Sequence, residues 1–271
     1  MPPIKQTREL VLGAVAYDPK VVPIWDGFKA YLAARGLPFD FVLYSNYERQ
    51  VAAHLRGDID VAWNSPLAWV HTRRAAPDRA RAIAMRDTDR DLTSVVLVRT
   101  DAARPIGAVA DLRRVATGAA DSPQATLIPL LALADAGARI SDQPGAIEVV
   151  HHDLLLGKHG DHIGGEREAV VALLAGEVDA ACVIDGNRLA FSREGLFAPG
   201  QLRVLLQTGH YDHCNVTALA DTPEIARLGE LLLEMSYDDP AVRPLLDMEG
   251  LRRWLPGRTS GYALLERAVA P

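Results

Sequence analysis

Residues 39–64 read FDFVLYSNYERQVAAHLRGDIDVAWN, and this stretch decides the class of fold. Two runs rich in branched and aromatic residues, FDFVLY and DIDVAWN, flank a segment with helical apolar spacing that ends at Gly57. The pattern predicts a strand, a helix and a second strand. ELVLGAVAYD at 9–18 and the apolar-faced segment at 22–35 add a further strand and helix before it. Strands that alternate with helices indicate a mostly parallel sheet of the α/β class.

The same alternation begins again in the middle of the chain. IGAVADLRRVATGAADSPQATLIPLLALADAG, at 106–137, predicts a strand, a polar turn and a helix that stops at Gly137. QLRVLLQTG at 201–209 predicts a strand that returns toward the first lobe. The expected organisation is a discontinuous first lobe, 1–99 with 208–271, and a second lobe, 100–207.

The connection between the lobes is expected at a strand and the segment after it. LTSVVLVRTD, at 92–101, predicts the long strand that leaves the first lobe, and Thr100–Pro105 is a candidate hinge. The tail from Met248 is expected to pack on the first lobe.

The composition is that of an ordinary globular protein, with 49% hydrophobic and 24% charged residues in 271. A net charge of -6 gives no overall attraction to phosphate backbones or anionic lipid, which argues against nucleic-acid binding. No uncharged apolar run reaches 18 residues, so no membrane span is expected. The two cysteines, Cys182 and Cys214, are expected to be free thiols.

The N-terminal sequence, MPPIKQTRELVLGAVAYD, places a charged segment directly before a strand. It lacks the apolar stretch and the small-residue cleavage site of a secretory signal. We therefore expect a cytoplasmic protein, or a periplasmic one if a leader has been removed.

Three segments together resemble a known family. They are GDIDVAWNSPLAWV at 57–70, ADLRRVATGAADSPQATLIPLLALADAG at 110–137 and AVVALLAGEVDAACVID at 169–185. In this order they are similar to the phosphonate and phosphate binding proteins of ABC transporters, within the type 2 periplasmic-binding-protein superfamily. The resemblance runs over about residues 9–220.

The resemblance implies an α/β fold of two lobes, with two hinge crossovers and an interdomain cleft. Lobe closure would bind a small anionic or zwitterionic solute that bears a phosphonate, phosphate or carboxylate group. If the protein is exported, an ABC permease would be its partner.

A polar turn at 121–126 is the first candidate site. It directly precedes an apolar helix, whose N-terminal end carries backbone N–H groups and a partial positive charge that attract anions. In the resembled family a Ser/Thr-rich turn here holds the phosphonate oxygens, and Ser122 and Thr126 are the matching hydroxyls. Gln124 lies in the same turn and is a third ligand candidate. The alternative is that Ser122 only caps its helix.

Other ligand candidates follow strands at their carboxyl ends, where open α/β sheets bind ligands. Asn64 and Ser65 follow DIDVAW, and Tyr17 ends the first strand. The resemblance places cleft residues at both loops, although Ser65 could simply cap the next helix. Asp185 matches an acidic position that in the family contacts the amino group of the ligand.

The chain departs from the family at 151–166, which reads HHDLLLGKHGDHIGGE. The family has a short turn with a histidine before the helix, whereas this chain has Glu166 after a histidine-rich insertion. A second histidine pair lies in GHYDHCN at 209–215. Imidazole and thiol groups are ligands for zinc, iron or copper. The candidate metal ligands are His159, His162, His210, His213 and Cys214.

Two alternatives to metal binding stay open for these histidines. They could donate hydrogen bonds to an anionic solute, or they could transfer protons. Proton transfer would make the protein an enzyme on the same scaffold, a lyase or a metal-dependent biosynthetic enzyme. Its catalytic residues would be His159, His162, Glu166 and His213.

Two further expectations concern single side chains. Neighbours on an extended strand point to opposite faces, which argues against direct contact between His213 and Cys214. His54 and His71 are expected to be solvated on the surfaces of helices.

Overall fold

The computed structural model describes residues 8–16, 18–141, 143, 145–152 and 165–270. Eleven strands and nine α-helices lie in this part of the chain. The strands are β1 (Leu10–Val15), β2 (Phe39–Tyr44), β3 (Val61–Asn64), β4 (Arg81–Arg86), β5 (Ser94–Arg99), β6 (Arg114–Thr117), β7 (Glu148–His151), β8 (Ala180–Ile184), β9 (Leu202–Gln207), β10 (Asn215–Ala218) and β11 (Trp254–Pro256). The helices are α1 (Val21–Ala33), α2 (Tyr47–Arg56), α3 (Pro66–Ala75), α4 (Ile128–Asp135), α5 (Glu166–Ala175), α6 (Asp185–Arg193), α7 (Pro223–Leu233), α8 (Arg243–Glu249) and α9 (Ala263–Ala268).

Contacts within the chain divide it into two compact units. Unit 1 comprises Met1–Arg90 and Asp212–Ser260, and unit 2 comprises Asp91–Tyr211 and Gly261–Pro271. These boundaries differ from those expected from the sequence, 1–99 with 208–271 and 100–207. The reason is that β5 belongs to the sheet of unit 2, where it pairs with β8 and β9, and that α9 packs on α4 in the same unit.

Unit 1 is a six-stranded sheet in the order β11-β4-β10-β3-β1-β2. β1 runs parallel to β2 and β3, whereas β10 enters antiparallel between β3 and β4. Its core includes a cluster of aromatic rings in edge and tilted contacts, at centroid separations of 5.3–6.5 Å. The rings are those of Trp25, Phe28, Trp63 and Trp254. Such pairs stabilise a core beyond the area that they bury.

Unit 2 is a five-stranded sheet in the order β7-β6-β8-β5-β9. β6, β7 and β8 run parallel, and β5 is antiparallel to both of its neighbours. Apolar clusters cover both faces, one that includes α5 and one that includes α4. The inner strands β5 and β8 are therefore almost continuous apolar runs, as expected of strands that are buried on both sides. No helix in the described ranges has the length and apolarity that a bilayer span requires.

The predicted end of helix α2 is confirmed, but the predicted exposure of its residue His54 is not. Asn46 accepts a hydrogen bond from the Arg49 amide at 2.9 Å, and Gly57 ends the helix with a φ of 81°. His71 is exposed, as expected, but His54 is only 2% exposed, so the expectation of a solvated His54 is wrong. Burial lowers the pKa of His54 to about 4, which outweighs the raising effect of Asp60.

Replacing His54 should make the protein more resistant to acid. Below pH 6.5 the unfolded chain binds a proton at His54 that the folded protein excludes until about pH 4, so stability falls as the pH is lowered. Between pH 7 and pH 4.5 this linkage costs about 2.5 kcal/mol. Urea unfolding at both pH values should therefore show a smaller acid loss for His54→Leu than for the wild type. Equal losses in the two proteins would contradict the assignment.

Candidate functional site

The candidate oxyanion site lies at one edge of the unit 2 sheet. Because β6, β7 and β8 are parallel, their carboxyl ends at Thr117, His151 and Ile184 lie along the same edge. The chain leaves β6 through residues 118–127, which we call the Ser122 turn. Its last five residues, Pro123–Leu127, form a π-helical turn that continues into α4.

The hydrogen bonds of the Ser122 turn show that Ser122 caps the helix. Its Oγ accepts from the Ala125 amide at 3.2 Å, and its carbonyl accepts from the amides of Thr126 and Leu127. In the cap the Ser122 oxygen acts as an acceptor, and a hydroxyl that accepts a hydrogen bond keeps its own hydrogen to donate. Thr126 instead donates its hydroxyl to the Ala119 carbonyl at 2.7 Å. Capping and ligand binding are therefore compatible at Ser122.

A buried polar cluster surrounds Gln124, which is 3% exposed. Ser94 Oγ donates to the Gln124 carbonyl at 2.5 Å and lies 2.7 Å from the Tyr211 hydroxyl. Burial raises the pKa of Tyr211, which keeps its hydroxyl protonated. Among the described residues, the buried Oε1 of Gln124 has no hydrogen-bond partner. Ser94 and Tyr211 were not predicted from the sequence, although a serine at the start of an apolar strand was a usable signal.

Glu166 is fully buried at the first turn of α5. Its Oε2 accepts from the Ile184 amide at 2.9 Å and from Asn187 Nδ2 at 3.0 Å. These hydrogen bonds connect the first turn of α5 to the carboxyl end of β8. Asp185, the next residue along that edge, is 29% exposed at its side chain and lies 2.6 Å from Arg188 Nε.

The corresponding edge of unit 1 carries Asn64 and Ser65 at the end of β3. Asn64 is fully buried, with Oδ1 bonded to Gln50 Nε2 at 2.9 Å and Nδ2 bonded to Thr217 Oγ1 at 2.8 Å. Ser65 Oγ accepts from the Ala68 amide at 3.0 Å and so caps α3. Both side chains have structural partners, and their ligand roles stay predictions. Tyr17 lies outside the described residues.

His213 and Cys214 lie at this edge too, directly before β10, whose first residue pairs with Asn64. The expectation that they do not touch is wrong: Cys214 Sγ lies 3.2 Å from His213 Nδ1, because the two residues precede the strand rather than lie in it. His213 Nδ1 is also 3.3 Å from Asp89 Oδ1. We call these three residues the Asp89 cluster.

The other predicted metal ligands are not part of this cluster. His210 Nδ1 lies 3.0 Å from the Asp91 carbonyl in unit 2. His159 and His162 lie outside the described residues. Both cysteines are free thiols, and Cys182 is buried in the sheet of unit 2.

Arg86 joins the Asp89 cluster to a second buried carboxylate. Its Nε and Nη2 bond both oxygens of Asp89 at 2.6 and 2.9 Å, and its Nη1 lies 3.2 Å from Glu249 Oε1. Burial acts to raise the pKa of Asp89, but Arg86 and His213 hold that pKa at about 2. Burial raises the pKa of Glu249 to about 7, against the lowering effect of Arg86.

Three solved structures with a similar fold are distant from this chain in sequence. PhnD1 from Prochlorococcus marinus, in complex with methylphosphonate, is 18% identical, with coverage of 97% of both chains and a TM-score of 0.65. XAC2383 from Xanthomonas citri, bound to chloride, is 18% identical over 96% of this chain and 95% of that one, with a TM-score of 0.70. A binding component of an ABC phosphonate transporter from Pseudomonas aeruginosa is 11% identical. The alignment covers 97% of this chain and 86% of that one, with a TM-score of 0.61. These likenesses confirm the predicted fold class.

Family membership rests on the sequence. No curated protein matches the chain at a significant level. Residues 14–262, however, match the family described as "ABC transporter, phosphonate, periplasmic substrate-binding protein". The match extends beyond the predicted resemblance at the C-terminal end and covers most of both units. The chain therefore belongs to the phosphonate-binding family of ABC-transporter periplasmic substrate-binding proteins.

Proposed function

We propose that this protein binds a small solute bearing a phosphonate or phosphate group, and that the Ser122 turn holds its oxyanion. The observation that carries the proposal is the position of this turn, at the carboxyl edge of parallel strands and at the positive end of α4. Anions bind at such ends because amide hydrogens and the helix dipole favour negative charge.

The donors near the turn suit an oxyanion with three oxygens. Ser122 has a hydroxyl hydrogen to give, and Gln124 has a side-chain amide within the same turn. Thr126 can join them once its hydroxyl turns away from the Ala119 carbonyl. Several donors that converge on one group would favour a phosphonate over a carboxylate, which has only two oxygens.

The acidic residue Asp185 would select for a zwitterion. Its partly exposed carboxylate follows β8 at the same edge as the Ser122 turn, and Arg188 neutralises it in this structure. A ligand ammonium group could replace Arg188 as its partner. We therefore favour an aminoalkylphosphonate over a simple phosphonate. For Tyr17, Asn64 and Ser65 we retain the proposed ligand role in unit 1.

The family description bears on where the binding takes place. Its members are periplasmic by description, which supports the periplasmic alternative and not the cytoplasmic location first expected. We propose that the protein delivers its solute to an ABC permease in the periplasm.

The enzyme alternative gains no support, because the matching family is one of binding proteins. Glu166, one of its proposed acid/base groups, is fully buried and bonded to Ile184 and Asn187. A general base must reach the proton that it removes. Glu166 is better explained as the residue that orders the edge of the sheet.

Thermal melting with a panel of solutes tests the proposal. Methylphosphonate, 2-aminoethylphosphonate, phosphate and ATP should be compared with acetate and β-alanine. A ligand at 100 times its Kd stabilises the folded state by about 2.7 kcal/mol, which raises the Tm by several degrees. We expect such a shift from at least one phosphorus compound. The proposed class of ligand would be refuted if only the two carboxylates raised the Tm, or if none of the six compounds raised it.

A further inference from the structure

The Asp89 cluster brings together three different metal-binding groups from two separated parts of the chain. A carboxylate after β4 and an imidazole and a thiol before β10 present atoms that all lie within 4.8 Å of one another. Asp89 and Cys214 are buried, and the side chain of His213 is 14% exposed. The cluster is therefore largely shielded from solvent but can be reached from it through the imidazole.

The two separations from His213 Nδ1 are close to those that a metal ion imposes. Zinc–ligand bonds of about 2.0–2.3 Å at tetrahedral angles place neighbouring ligand atoms roughly 3.4–3.6 Å apart. Nδ1 of His213 lies 3.2 Å from Cys214 Sγ and 3.3 Å from Asp89 Oδ1. These two separations differ from those values by only a few tenths of an ångström, and all three ligand atoms lie within 4.8 Å of one another.

The charges around the cluster also favour a cation. Arg86 is the cation that contacts two carboxylates, Asp89 and Glu249, whose side chains are 2% and 5% exposed. A divalent ion that binds the Cys214 thiolate, with release of the thiol proton to water, would add one net positive charge beside these two acidic groups.

Arg86 has a second role, which is to orient the carboxylate. It bonds both oxygens of Asp89, at 2.6 and 2.9 Å. Carboxylates that bind metals are themselves commonly held by such outer partners, which fix their direction. The bidentate contact directs Oδ1 toward His213 at 3.3 Å.

We propose that Asp89, His213 and Cys214 form a site for a divalent metal ion of borderline softness, with zinc as the best fit. A thiolate and an imidazole select zinc over magnesium or calcium, and three protein ligands leave one tetrahedral position for water. The Asp89 cluster belongs to unit 1, whereas the Ser122 turn belongs to unit 2.

Zinc titration of the chelator-stripped, reduced protein tests the site. The full-length wild type should bind about one equivalent in competition with a chromophoric chelator, and both Cys214→Ala and His213→Ala should weaken binding by at least about 100-fold. Cys182→Ala is the matched control, since it removes the chain's other cysteine, and it should bind zinc as the wild type does. Absence of zinc binding by the wild type would overturn the proposal.

Cobalt substitution identifies the ligand even if the Cys214 variant does not fold. In Cys182→Ala the remaining cysteine is Cys214, so a sulfur-to-cobalt charge-transfer band in this variant must arise from it. A cobalt spectrum without that band would overturn the proposal. A double variant, His159→Ala with His162→Ala, should still bind zinc. If this variant loses zinc binding, the metal belongs instead to the histidine-rich segment at 151–166, and the proposal is overturned.

Discussion

Ser122→Asp is expected to abolish phosphonate binding while the protein stays folded. Aspartate caps helices as well as serine does, so the bond from the Ala125 amide is retained. At the proposed site the new carboxylate would face the ligand oxyanion, and juxtaposed like charges cost several kcal/mol. Affinity for the best phosphorus ligand should fall at least about 100-fold, or roughly 2.7 kcal/mol, by isothermal titration calorimetry.

Ser122→Asn separates charge from size in this experiment. Asparagine has nearly the volume of aspartate and is an equally good cap, but it carries no charge. It should lose far less affinity than Ser122→Asp, and both variants should melt near the wild-type temperature. If Ser122→Asp binds the ligand as the wild type does, the Ser122 turn is not the oxyanion site.

Gly165→Ala should destabilise the protein more than any other single substitution proposed above. Gly165 has a φ of 87°, and a Cβ at this position would lie 1.8 Å from the His152 carbonyl oxygen and 3.1 Å from Gly118 Cα. These neighbours are backbone atoms and cannot move aside as a side chain can. We expect a loss of more than about 4 kcal/mol in urea unfolding. Phosphonate binding should weaken as well, because Gly118 begins the Ser122 turn.

Gly200→Ala provides the control for backbone conformation. Gly200 lies in unit 2 with a φ of 81°, and a Cβ there would meet no atom within 4 Å. Its substitution should cost only the left-handed strain of about 1–2 kcal/mol. Similar losses for the two variants would show that the contact with His152 does not limit stability.

The class of fold was predictable because local patterns carry it. Helix α2 ends at Gly57, as its sequence indicates, and the structure adds Asn46 as its N-terminal cap. The restart of the β-α alternation near residue 106 correctly predicted a second sheet. These signals depend on residues a few positions apart, which a single sequence displays.

Assignments that depend on distant residues were harder to predict. The apolar strand β5 gives no sign of which sheet it joins, because that depends on its pairing with β8 and β9. Burial of His54 depends on what covers α2, and the polarity of histidine suggested the opposite. The Asp89 cluster unites residues more than a hundred positions apart, so Asp89 could not be identified as a partner of His213.

The candidate site was predictable in part. The order of strand, polar turn and apolar helix pointed to Ser122, and the structure shows that this residue caps the helix, while its ligand role stays a prediction. Asn64 was chosen for its place after a strand; its side chain bonds Gln50 and Thr217 in unit 1, and its ligand role stays a prediction. Position at a strand end can be read from sequence, whereas the direction of a side chain cannot.

Calorimetric titration with three matched solutes tests the central claim most directly. 2-Aminoethylphosphonate, taurine and β-alanine share an aminoethyl group and differ only in the acid, which is a phosphonate, a sulfonate or a carboxylate. The protein should bind the phosphonate at least about tenfold more tightly than either of the others, a difference of about 1.4 kcal/mol. If taurine or β-alanine binds as tightly as the phosphonate, the protein does not recognise a phosphorus oxyanion.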